Sequence, residues 1–206
     1  MKKAAIYFIV FICALIIAGT SYADNVQNDI AQNIIRLHII ANSNDDVDQQ
    51  VKLKVRDGVI ACMREKTDSL TDKADCESII SDNLDYITDT ANRILKENGF
   101  NYESAAYIGN FNFPTKRYAD FILPPGNYEA LRIVLGDGNG KNWWCVMFPP
   151  LCFIDGENGT VTQAYKNYLK ENLSSDSYEI IQASDCNADI QFKFKIIELY
   201  QNMIKK

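Results

Sequence analysis

Histidine is nearly missing from this sequence of 206 residues: His38 is the only one. That scarcity removes every multi-histidine metal site and most other metal-site patterns. Basic residues are also few, 21 Lys and Arg against 27 Asp and Glu, so at a net charge of −6 no basic field is available to hold a nucleic-acid backbone. Glycine and proline, at 10 and 5, are too rare for a collagen-like or low-complexity chain. With 47% hydrophobic and 23% charged residues, a wholly disordered chain is excluded as well.

One long apolar run is present, and it stands at the start. Met1-Lys2-Lys3 is positive, Ala4 to Gly19 is almost unbroken apolar, and Ser21-Tyr22-Ala23 puts small residues at −3 and −1 of a cleavage site before Asp24. This pattern predicts a secretory signal peptide over residues 1–23. Its 16 apolar residues fall short of the roughly 20 that cross a bilayer, and an uncleaved anchor is the alternative. Cys13 follows Ile12, without the small residue expected before a lipid-modified cysteine. Removing the two leading lysines leaves 19 Lys and Arg against 27 Asp and Glu, a formal charge of −8 for an exported acidic protein. Residues 24–33 are polar and predict a flexible lead-in. Residues 34–206 then form a single extracytoplasmic domain, long enough to bury a sizeable core. Five cysteines follow the signal: Cys62, Cys76, Cys145, Cys152 and Cys186. Export permits bridging, and the odd count leaves at least one thiol unpaired.

Ile34 to Ile40 reads as a strand with Ile35, Leu37 and Ile39 on its better buried face. After turn and N-cap chemistry at residues 41–46, Val47, Val51, Val55, Val59, Cys62 and Met63 form a helical stripe. A second helix is predicted from about Asp72 to Asn98 on the spacing of Cys76, Ile80, Leu84, Ile87, Ala91 and Ile94, with Gly99 as its stop. Cys62 and Cys76 would lie near the ends of this hairpin, as two free thiols or as a pair. From Asn101 the period becomes two. Runs near 102–111, 116–123, 128–135 and 143–148, separated by Pro- and Gly-rich turns, predict an antiparallel meander with a tight hairpin at Gly136–Gly140. A short helix is expected over Val161–Leu173, with Tyr165, Tyr168 and Leu169 inward. Ile190, Phe192, Phe194 and Ile196 alternate as a strand. The class is therefore α+β, an antiparallel or mixed β-sheet packed against an N-terminal helical hairpin, with a short C-terminal helix.

No complete catalytic set emerges. His38 reads as a half-exposed strand residue rather than a base, and no local signature marks a cysteine nucleophile. Gly136-Asp137-Gly138-Asn139-Gly140 lacks the Lys-Ser/Thr of a P-loop and the distal Glu of an EF-hand. The densest constellation is Asn142 to Phe153, which holds both tryptophans, Pro149-Pro150, Cys145 and Cys152. Alternation sends Trp143 and Trp144 to opposite faces. The segment is either a packed core strand with a rigid exit or a partner-binding platform, because aromatic anchors on stiff backbone are what interface hot spots use. Candidate partner-binding residues are Trp143, Trp144, Phe148, Pro149 and Pro150, with the cations Arg36, Lys54 and Arg56 as a second stretch of surface. Cys145 and Cys152 would be joined if the chain folds back across the bend.

Tyr128-Glu129-Ala130-Leu131 and Asn142 to Phe153 together resemble the signature of the stage II sporulation protein R family of endospore-forming Firmicutes. Ile35-Arg36-Leu37-His38-Ile39-Ile40-Ala41-Asn42-Ser43, Leu53-Lys54-Val55-Arg56-Asp57 and Phe113-Pro114-Thr115-Lys116 are similar to it as well. The resemblance implies a signalling protein, not an enzyme, with no cofactor and no small-molecule substrate. It implies export from the forespore into the space between forespore and mother-cell membranes. The implied partner is a membrane-embedded aspartic protease that processes the precursor of sigma-E. A cell-wall-acting extracytoplasmic hydrolase is the alternative.

Overall fold

The computed structural model describes residues 2–67, 70–118, 121–149 and 163–182. The β-branched segment after Ile34 becomes strand β1 (Ile35–Ile40), buried at its first five positions, Arg36 and His38 included. A strand dry on both faces belongs inside a sheet. β1 lies between β5 (Gly126–Leu135), to which it is parallel, and β6 (Asn142–Phe148), to which it is antiparallel. β2 (Ser104–Phe113) pairs antiparallel with β5, so the order is β2-β5-β1-β6. The sheet is mixed, and the meander expected from turn signals is not formed. Nor is Gly136–Gly140 a hairpin: β1 separates β5 from β6, and the loop rides over its end. There the Asn139 N–H donates to Asn42 O at 2.9 Å and the Gly140 N–H to Ala41 O at 2.8 Å. A Cβ on Gly140 would sit 2.1 Å from Ser43 O, which is why glycine closes this approach.

One sheet face is covered by α2 (Asp46–Thr67), α3 (Lys73–Asp82) and α4 (Leu84–Glu97). The predicted second helix is thus two, parted at Asn83, whose backbone N–H and side-chain amide donate back to the carbonyls of Ile80 and Ile79. The side chain of Asp72 caps the start of α3, accepting from Ala74 N at 2.7 Å. Gly58, inside α2, lets α4 approach closely, since a Cβ there would meet Ile94 Cδ1 at 2.3 Å. Ile35, Leu37, Ile39, Val55, Val59, Met63, Ile87, Leu131 and Ile133 fill the layer between, each wholly buried.

Among the described residues the other face is covered over only part of its length. Its cover comes from the end of α1 (Lys2–Asn33), the small hairpin of β3 (Lys116–Tyr118) and β4 (Phe121–Leu123), and α5 (Gln163–Asn172) and α6 (Ser175–Gln182). Leu169 points inward and Tyr165 and Tyr168 are half-buried, as expected, while α6 is an additional helix. The alternating segment 190–196 lies outside the described residues.

α1 departs from the sequence reading. Residues 24–33 are helical, not a flexible lead-in. Val26, Ile30 and Ile34 recur every four residues, so a segment polar in composition still carries one dry stripe, and all three are buried. Asp29 accepts from the N–H and hydroxyl of Ser174, and Gln27 Nε2 donates to Asn127 O at 2.7 Å. Earlier in the same helix Ile6 to Phe11 and Leu15 to Ile17 are exposed, and the span from Ile6 to Asn33 is long and apolar enough to cross a membrane.

Candidate functional site

The two tryptophans of β6 do face opposite ways. Trp143 packs toward the helical layer, where the Arg56 guanidinium of α2 lies 4.3 Å from its ring centre. Arg56 also pairs with Asp57 at 2.6 Å, and the Trp143 indole nitrogen is buried without a hydrogen-bond partner among the described residues. Nearby, Lys52 donates to Gln49 Oε1 at 2.6 Å and to Lys141 O at 2.9 Å. Burial, aided by the charges of Lys141 and Arg56, holds its ammonium below the ordinary lysine range. Lys54 points elsewhere, to Asn98 Oδ1.

Trp144 belongs to the second face. The registers of β2, β5, β1 and β6 align Tyr107, Arg132, His38 and Trp144 in one row across all four strands. His38 and Trp144 are stacked, 3.8 Å between centroids with planes 13° apart, and the edge of Phe113 meets Trp144 at 4.8 Å. His38 is only 2% exposed, so it is a core residue and not a half-exposed one. Arg132 Nε donates to His38 Nδ1 at 3.2 Å, which leaves the ring proton on Nε2, facing Asn142 Oδ1 at 2.8 Å. Burial pushes the His38 pKa down to about 4, and the neighbouring charges of Arg132 and Arg36 add to this against the Asn142 hydrogen bond. Both ring nitrogens are therefore engaged and the ring is neutral.

Arg36, two residues before His38 and so on the same face, is wholly buried. Its guanidinium lies over Phe113 at 4.3 Å and near Tyr128 at 5.0 Å and Tyr118 at 5.5 Å. Nε donates to Cys145 O at 3.1 Å and Nη2 to Tyr118 Oη at 2.7 Å, while Nη1 has no hydrogen-bond partner among the described residues. Phe148 and Pro149 are also buried, and the peptide bond joining them is cis. Of the residues marked by sequence, Trp143, Trp144, Lys54 and Arg56 keep exposed surface, whereas Arg36, Phe148 and Pro149 serve the interior. Pro150 and Cys152 lie outside the described residues. Cys145 is disulfide-bonded; Cys62 and Cys76 are free, and burial pushes the Cys76 thiol up to about 12.

Sequence reasoning missed Tyr107 and Arg132. Tyr107 is 52% exposed, and the Arg132 guanidinium stacks over Phe111 at 3.8 Å. Together with the half-buried Trp144 they make an aromatic and cationic surface that no other described residue covers fully. The signal for it was the shared register, which no single segment displays. Among the described residues no three His, Cys, Asp or Glu side chains converge to hold a metal ion.

The segments that carry the sequence resemblance meet here: Arg36 and His38 from β1, Phe113 from β2, Tyr128 from β5 and Trp144 from β6 form one continuous aromatic and cationic cluster. The family model described as "Stage II sporulation protein R" matches residues 31–158, the stretch that builds this cluster. The chain belongs to the stage II sporulation protein R family. A relative, stage II sporulation protein R of Bacillus subtilis (strain 168), is 33% identical over 197 residues, covering 92% of this chain and 87% of its own. No solved structure matches. A role in sporulation follows from membership in the family, and the resembling segments are divided between the two sheet faces, with Leu37, Leu131, Cys145 and Phe148 on the helical side and Phe113, Tyr128, Ala130 and Val146 on the second.

Proposed function

We propose that the chain is an exported sporulation signal that activates a membrane-embedded aspartic protease, which then processes the precursor of sigma-E. Residues 1–23 act as the signal peptide, cleaved before Asp24, and the folded part works between the forespore and mother-cell membranes. The observation that carries this reading is the part of the second sheet face left accessible among the described residues, where Trp144, Arg132 and Tyr107 stand on rigid strands in a member of this family. An aromatic anchor held on a sheet loses little freedom on binding. Trp143 with Arg56 extends the contact around the β6 edge of the sheet, and a bridge from Cys145 to Cys152 holds the bend beyond β6. The chain acts by binding and not by turnover: its one histidine is buried, neutral and hydrogen-bonded through both nitrogens, which suits a support for Trp144 better than a general base.

Co-expression in a non-sporulating bacterium tests this. Full-length chain, protease and sigma-E precursor together should yield processed sigma-E, and omission of the chain should abolish it. Equal processing with and without the chain would refute the activator reading.

A further inference from the structure

β2 is an edge strand of ten residues, and among the described residues nothing pairs with its outer side. Natural edge strands are blunted by charge, proline, a bulge or shortness. β2 has none of these. Residues Ser104–Phe113 include no charged side chain and no proline, and their register with β5 runs through all ten positions without a shift. Only its start is closed, where Ser104 N–H donates to Asn92 Oδ1 at 2.7 Å.

The side chains beside this edge are selective. Ala106 and Ile108 are half-buried toward the helical layer, while Tyr107 and Phe111 stand on the second face. Arg132 leans toward them, its guanidinium 3.8 Å from the Phe111 ring centre, and among the described residues no carboxylate pairs with it. Desolvation already disfavours its charge, so a carboxylate arriving at the edge would find an unmatched, partly dry cation.

We propose that β2 accepts an extended segment of the partner protein as a fifth strand, with an acidic side chain of that segment placed against Arg132. Main-chain hydrogen bonds would supply affinity, and alternate side chains packing beside Tyr107 and Ile108 would supply selectivity. A second copy of this chain fits less well: β2 contains no acidic residue, so a two-fold β2 to β2 pairing leaves Arg132 unmatched. The identity of the partner rests on the activator reading, which makes it the membrane-embedded protease.

Hydrogen exchange of the full-length chain in detergent, with and without that protease, tests the site. The outward-pointing amides of residues 105–113, those not already donated to β5, should exchange about tenfold more slowly in the complex. Arg132→Glu should weaken the complex by about tenfold or more, since it sets like charges against each other. Gly109→Pro and Asn110→Pro form a matched pair, because consecutive residues of an antiparallel strand send their N–H groups to opposite sides. Whichever of them melts like the parent should abolish the slowed exchange. A complex that forms with unchanged β2 exchange overturns this docking site and leaves the activator reading standing. Protection that grows with the chain's own concentration, without protease, overturns it in favour of self-pairing. If no complex forms, the activator reading fails and the docking site fails with it.

Discussion

His38 and Arg36 show how single residues support the half-buried ring of Trp144 from below. For His38 the folded pKa lies near 4 against an ordinary value of 6.5, so between these values the unfolded chain binds a proton that the folded chain refuses. Stability from this group is full above pH 6.5 and is lost as pH falls toward 4, by roughly 3 kcal/mol at about 1.4 kcal/mol per pKa unit. Urea unfolding of the parent and of His38→Gln across that window should show the steeper loss in the parent; parallel curves would mean that His38 is not held neutral. Arg36 donates two hydrogen bonds from a planar group among three aromatic rings. Lysine cannot repeat both, and Arg36→Lys should cost about 2 kcal/mol in the urea midpoint, the worth of one hydrogen bond from a charged group. A loss below about 0.5 kcal/mol, the scale of an ordinary surface change, would contradict the buried placement.

Among the elements, those whose information is local were legible in the sequence. The stripe of Val51, Val55, Val59 and Met63 marks α2, and the strand alternation around β5 is plain. Gly99, at φ 83°, ends α4 as read. Pairing was illegible, because the Gly136–Gly140 turn looks the same whether it joins neighbours or crosses over a third strand. The central position of β1 was hidden too, because Arg36 and His38 on its second face read as half-exposed and are buried only in the folded sheet. The polar composition of residues 24–33 likewise hid a helical stripe. If that stripe is core, Ile30→Ala should cost about 2–5 kcal/mol in thermal or urea unfolding. A flexible lead-in would register almost no change. Gly140→Ala probes the crossover in the same way, since its Cβ would collide with Ser43 O, and about 1–3 kcal/mol should be lost.

For the whole molecule, α1 joins two environments without a break: an exposed apolar stretch and, three residues after Ala23, the first buried core position at Val26. Cleavage before Asp24 would leave the packed end of α1 intact, and N-terminal mass analysis of the exported protein should find Asp24 first. Product retaining Met1 in the membrane fraction would favour an anchor instead. The candidate site was half legible. Trp143 and Trp144 stand out by composition, but their unequal surroundings, and the company of Tyr107 and Arg132, arise from the register of four strands far apart in sequence.

The central claim is that Trp144 presents a binding surface and is not merely core. The direct measurement is processed sigma-E per folded molecule for Trp144→Ala and Trp143→Ala, each co-expressed with the protease and precursor, with the folded fraction read from thermal unfolding. Trp144→Ala should keep a cooperative transition and lose most of its activation per folded molecule, with a smaller loss for Trp143→Ala. If both variants lose activation only in proportion to lost folded protein, the tryptophans are core and the account is wrong.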